Sequence, residues 1–180
     1  MNETVQEFLE SHIELIDQNK FAELYIRATT RWTFPNNRNI SLVTETLLDA
    51  GINPLEYMDY IPLCMFWESN IKEIDIPETI TFIENDAFHG CQYLEDITIP
   101  ASCDHVGPNA FSACSKLITM TILNPNCEFD QDTLYAFGTS NIKRIIYNGT
   151  IKQFRQRYKD IKLPYRFILQ ATDGNIFMEV

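Results

Sequence analysis

Three histidines and five cysteines are the side chains of this 180-residue chain best suited to nucleophilic catalysis or metal binding. Cysteine–histidine catalysis would need Cys91 or Cys103 beside one of His12, His89 and His105, with its thiol ionised. The spacing argues against it. Cys91 and Cys114 hold the same place in a repeated pattern, where free cysteine behaves as a small buried hydrophobe. His12 falls on the apolar stripe of a helix, and His89 and His105 occupy places that do not match. No HExxH, P-loop, GxSxG or CxxC pattern occurs. Adjacent carboxylates such as Glu95 and Asp96 splay apart on a strand, which is poor geometry for general acid catalysis. With no metal-ligand cluster and no cofactor motif, the chain reads as a binding protein and not an enzyme.

Its functional residues must therefore be displayed, and a repeat displays them. Ile71-Lys-Glu-Ile-Asp-Ile-Pro77 returns as Leu94-Glu-Asp-Ile-Thr-Ile-Pro100, as Leu117-Ile-Thr-Met-Thr-Ile122 and as Ile142-Lys-Arg-Ile-Ile-Tyr147, in steps of 23, 23 and 25 residues. A period in the low twenties is the signature of a leucine-rich-repeat solenoid. Apolar residues take positions one, four and six, so Ile74 and Ile76 point inward and Asp75 outward. This predicts parallel strands near 71–76, 94–99, 117–122 and 142–147, each unit burying its apolar edge against the next. Ala87-Phe88 and Ala110-Phe111 turn the chain back. The third unit is irregular, because Ala136 lies 26 residues beyond Ala110. A loop is expected near 124–133, with Cys127 displaced from the place of Cys91. Thr79, Ser102, Pro125 and Thr150 stand where common leucine-rich repeats carry Asn or Cys, so no asparagine ladder is expected.

The elements IxxIxIPxxIxxIxxxAFxxC at 71–91 and LxxIxIPxxCxxVxxxAFxxC at 94–114 resemble the BspA-type leucine-rich repeats. Such repeats occur in bacterial surface proteins, some protozoa and many phage or prophage proteins. Tyr147-Asn-Gly-Thr150, the helix after it and Ala171–Ile176 resemble the tail that ends many of these arrays, so the resemblance spans roughly residues 60–180. Gly51–Met58, GINPLEYM, is similar to the lead-in of some phage proteins, which implies a phage or prophage origin. The resemblance implies a fold and leaves the activity open, since repeat solenoids serve many partners.

Outside the repeat, Thr4-Val-Gln-Glu7 is a capping box ahead of an amphipathic helix that carries Val5, Phe8, Leu9, His12, Ile13 and Ile16. A second short helix is expected over Phe21–Ala28, and a Pro-broken loop over Arg31–Arg38. Ser41 can cap a third helix through Asp49, closed by Gly51. Thr150-Ile-Lys-Gln153 is a second capping box, whose helix turns Ile151, Phe154 and Tyr158 inward. Strands follow at 165–171 and 176–180, with a hairpin signal at Asp173-Gly174. The expected fold class is α/β (α+β). A helical N-terminal cap over 1–66 leads into a solenoid with a parallel sheet over 67–147. A C-terminal helix and β-hairpin cap over 148–180 then cover the open sheet edge.

The net charge of −11 is unevenly placed: −6 over 1–66, −10 over 67–140 and +5 over 141–180. An acidic middle argues against direct nucleic-acid binding, which needs a basic surface. No apolar run is long enough to span a membrane. The acidic N-terminus lacks the pattern of a signal peptide, and dispersed, odd-numbered cysteines suit a reducing cytoplasm. What remains is a binding face of outward strand residues: Glu73, Asp75, Glu95, Asp96, Lys143 and Arg144, extended by the loop aromatics Trp32 and Phe34. Such a face suits a protein partner, for instance a basic or nucleic-acid-binding host protein met by a phage-encoded inhibitor. Three alternatives stay open: an acidic mimic of nucleic acid, a structural or surface-associated assembly protein, and docking on the N-terminal cap or basic tail. The oligomeric state is not legible.

Overall fold

The computed structural model describes residues 38–130, 141–159 and 166–179. The first two expected helices, with His12, and the loop holding Trp32 and Phe34 lie outside the described residues. Helix α1 spans Arg38–Asp49, starting three residues before Ser41. It buries Ser41, Val43, Thr44 and Leu47. Gly51 ends it as expected: its φ of +78° places it in the left-handed region. There the Ile52 N–H reaches the Leu47 carbonyl, and the Gly51 N–H reaches that of Leu48, both at 2.9 Å, satisfying carbonyls the helix would leave open. A 3-10 turn follows over Pro54–Tyr57, its first turn capped by the Asn53 side chain.

Two sheets then build the solenoid. A long sheet holds β3 (Asp96–Ile99), β5 (Thr119–Ile122) and β7 (Arg144–Tyr147) in parallel. Its register joins Ile97 to Met120 to Ile145, which carries the apolar period of the sequence directly into the core. A short sheet faces it, made of β1 (Tyr60–Ile61), β2 (Phe82–Ile83), β4 (His105–Val106) and β6 (Glu128–Phe129), all parallel. Ile61, Ile83, Val106 and Phe129 point in from this side and meet Ile99, Ile122 and Tyr147 from the other. Sequence reading did not resolve this second sheet. β1 lies within the stretch read as a helical cap, and β6 lies inside the expected loop at 124–133.

The corners between units are double turns. Cys64, Asp86 and Asn109 take φ of +57°, +54° and +56°, and Glu68, Gly90 and Ala113 take +52°, +74° and +59°. Left-handed backbone costs a residue with a Cβ about 1–2 kcal/mol, and Asp and Asn tolerate it best. Hydrogen bonds between units offset that cost. The Phe66 and Glu68 N–H groups reach the Ala87 and His89 carbonyls at 2.7 Å, and Phe88 and Gly90 reach Ala110 and Ser112 at 2.8 and 2.7 Å. Inside the corner, Phe66, Phe88 and Phe111 stack with centroids 4.7 and 5.2 Å apart.

The strand expected at 71–76 does not form. One rung remains, from the Glu95 N–H to the Lys72 carbonyl at 3.4 Å, while the Asp75 carbonyl accepts from the Asn53 side chain. Ile71, Ile74 and Ile76 are only half-buried, whereas Leu94, Ile97 and Ile99 in the next unit are buried. Among the described residues the long sheet begins at β3, and no further strand supports this segment from its other side.

At the other end α2 (Ile151–Arg157) opens with the expected capping box between Thr150 and Gln153. It buries Phe154 and the following Tyr158. β8 (Arg166–Ala171) pairs parallel with β7, and β9 (Gly174–Glu179) returns antiparallel through a two-residue Thr172-Asp173 loop. The hairpin thus covers the edge of β7, and among the described residues β9 is the outermost strand on that side. No described helix is long and apolar enough to cross a membrane.

Candidate protein-interaction surface

Among the described residues the cysteines and histidines take separate structural places. The Cys91 and Cys114 thiols donate to the Phe66 and Phe88 carbonyls at 3.0 and 3.1 Å, one unit back. Burial pushes the Cys91 thiol well above the usual range. Ser69, also buried, makes the corresponding backbone turn in the preceding unit. Cys127 leaves the place of Cys91, as expected, and takes that of Ile80 and Cys103: all three close the same turn, on Pro77, Pro100 and Asn124. A hydrogen bond from Cys127 lowers the Cys103 thiol, and that bond and burial raise Cys127. The five thiols are free. His89 stacks on Trp67 at 4.0 Å. His105 stacks on Phe82 at 4.9 Å and reaches the Asp130 carboxylate at 3.2 Å. Neither ring meets a thiol among the contacts of the described residues, and no group of three or more His, Cys, Asp or Glu side chains there could hold a metal.

The outer face of the long sheet is the broadest ordered display. Its register sets Asp96, Thr119, Arg144, Ile168 and Phe177 in one row, and Thr98, Thr121, Ile146, Gln170 and Asn175 in the next. Strands lie about 4.8 Å apart, so Asp96 and Arg144, separated by Thr119, stand about 10 Å apart and are too distant to pair directly. Glu73 and Asp75 are exposed on the segment before β3, Glu95 immediately precedes β3, and Lys143 precedes β7. A run of backbone bonds ties these flanks together: Glu95 to Lys72, Ile118 to Glu95, Lys143 to Ile118 and Ile168 to Lys143. The face passes from carboxylates through threonines to Lys143 and Arg144, then to an exposed apolar pair.

That pair, Ile168 and Phe177, was absent from the expected site. The two face each other across the hairpin and are 42% and 64% exposed. The alternation of the sequence shows a strand at Tyr165–Ala171, but Phe167, Ile168 and Leu169 place apolar residues on both faces, so the inward face is not legible. The structure turns Phe167 and Leu169 inward and Ile168 outward. Trp32 and Phe34, expected beside the face, lie outside the described residues.

A parallel-stranded solenoid with an exposed strand face defines the class: a leucine-rich-repeat scaffold. The family model described as "BspA type Leucine rich repeat region" matches residues 52–158, in 6 copies. The chain belongs to that family. No curated protein and no solved structure matches it.

Proposed function

We propose that this chain is a protein-interaction module, specifically a phage-encoded factor that acts in the cytoplasm by binding a host protein and inhibiting or redirecting it. The family's repeats support the interaction role. The similarity of Gly51–Met58 to phage lead-in segments supports the origin. The docking surface is the outer face of the long sheet, and the observation that carries it is the register. One row across consecutive strands runs from acidic Asp96 through Thr119 to basic Arg144 and apolar Ile168 and Phe177. Glu73, Asp75, Glu95 and Asp96 form its acidic end and suit a basic partner, including one that itself binds nucleic acid. Lys143 and Arg144 fix the orientation of that partner, and Ile168 with Phe177 supplies the apolar anchor in which interface energy concentrates. Trp32 and Phe34 are included in the proposal for their type alone, since aromatic residues are enriched at interfaces.

The test begins with capture of the partner from host extract and its purification. Changing Glu73, Asp75, Glu95 and Asp96 together to Lys should weaken binding at least tenfold and reduce its dependence on salt. Unchanged affinity in a variant that melts normally would move the site to the N-terminal cap or the basic tail.

A further inference from the structure

We infer that β9 is a self-docking edge: two copies of this chain join by antiparallel pairing of β9 with β9 about a two-fold axis, fusing their long sheets. The contact is made by the backbone edge of the sheet, although Phe177 belongs both to it and to the proposed partner face, so the test reads self-association and not partner binding.

The direction of the free backbone groups follows from one hydrogen bond. The Ile168 N–H donates to the Lys143 carbonyl on β7. Peptide groups alternate sides along a strand, so Phe167, Leu169 and Ala171 face β9, where they meet Met178, Ile176 and Gly174. Asn175, Phe177 and Glu179 must then aim their N–H and C=O groups away from β8. Among the described residues no strand pairs with that edge. Natural edge strands are protected by lysine, proline, bulges or brevity. β9 runs six residues without a bulge, contains no Lys or Pro, and bears one charge, Glu179. Arg166 already holds that carboxylate through two nitrogens, at 2.7 and 3.1 Å.

The sequence of β9 complements itself in one register. With Phe177 opposite Phe177 of the second copy, Asn175 faces Glu179 on both sides of the axis, an amide beside a carboxylate. All three outward-facing residues then exchange both backbone hydrogen bonds with a counterpart. On the inner face Ile176 meets Met178, and these are the residues left half-buried where the core ends. A one-residue slip would turn the inner face outward. A two-residue slip sets Asp173 against Glu179, or Phe177 against Glu179, and leaves outward groups unpaired. Charge at long range agrees with this choice, because β3, with Glu95 and Asp96, lies at the other end of the sheet from β9, so pairing at β9 keeps the two acidic ends apart. Such an isologous contact closes on itself, so it gives a dimer and not a fibre.

The experiment is sedimentation of the full chain at several concentrations, with Phe177→Lys and Phe177→Glu variants. Phe177 is largely exposed, so both variants should fold. The unmodified chain should sediment as a dimer. Each variant alone should dissociate roughly tenfold or more readily, since like charges then face each other across the axis. An equimolar mixture of the two should dimerise again, a rescue that misfolding would not produce. A monomeric unmodified chain at high concentration would overturn the inference and leave the edge to a strand of another protein. A dimer indifferent to both variants would overturn it equally.

Discussion

The Cys114 thiol lies 3.1 Å from the carbonyl oxygen of Phe88, and one unit earlier Cys91 stands in the same relation to Phe66. Each cysteine thus satisfies a corner carbonyl of the preceding unit, which explains a thiol at an interior place better than reactivity does. Both are fully buried, and the nucleophile in labelling is the thiolate. Thiol reagents should modify Cys91 and Cys114 only at the rate of unfolding, measured by mass spectrometry with and without denaturant. Fast modification of both in the native protein would contradict the packing.

The period that revealed the solenoid is the part of the fold written most plainly. Leu94, Ile97 and Ile99 recur as Leu117, Met120 and Ile122, and each set is buried. Ile71, Ile74 and Ile76 carry the same pattern but form no strand, because pairing depends on a neighbour and not on the segment alone. The short sheet escaped notice for a different reason: strands such as Phe82–Ile83 have two residues, too few for alternation to show. The left-handed corners were hidden because Asp86 and Asn109 fill positions where glycine is the usual signal. On the outer sheet face proposed for binding, the outward side of the charged residues is legible from their position in the repeat. Ile168 and Phe177 were not, because register across a hairpin decides their side.

Phe88 is sandwiched between Phe66 and Phe111 and fully buried. Phe88→Ala removes the middle ring of that stack, and neighbours held by inter-unit hydrogen bonds cannot close the gap. The expected loss is about 3–5 kcal/mol, the range for Phe→Ala in cores. Tyr93 gives the contrast. It is 43% exposed, with the Lys116 ammonium 4.8 Å from its ring centre, so Tyr93→Ala should cost less than about 1 kcal/mol. Urea titrations of both variants check the difference.

At Gly107 the backbones of two units approach closely. A Cβ there would lie 2.6 Å from Asn85 Oδ1, 2.9 Å from Asn85 N and 3.0 Å from the Glu84 carbonyl carbon. Its own N–H makes a rung to Ile83 at 2.8 Å. Gly107→Ala should therefore destabilise by about 1–3 kcal/mol through overpacking. Adding Asn85→Ala removes the side-chain oxygen but not the backbone, so the double variant should recover little of the loss. Full recovery would show that the side chain, and not the backbone, sets the limit.

Alkaline pH should weaken the fold well before the backbone is attacked. Burial, with a smaller contribution from Asp86, raises the Cys64 thiol from 9.0 to about 11. Burial likewise raises Cys91, Tyr147 and Tyr158. In the unfolded chain these groups ionise at their ordinary values, while the folded chain keeps their protons. The folded state then binds more protons than the unfolded one, so stability falls as pH rises through that window. Below the ordinary thiol value both states are protonated, and these groups contribute no slope. The urea midpoint should stay level between about pH 7 and about pH 8, then drop steadily to about pH 10.5. Cys64→Ser keeps a small side chain in place without titrating there, so its decline should be shallower by the share of one thiol. A midpoint unchanged across the alkaline range would mean that these thiols and phenols reach solvent in the native state.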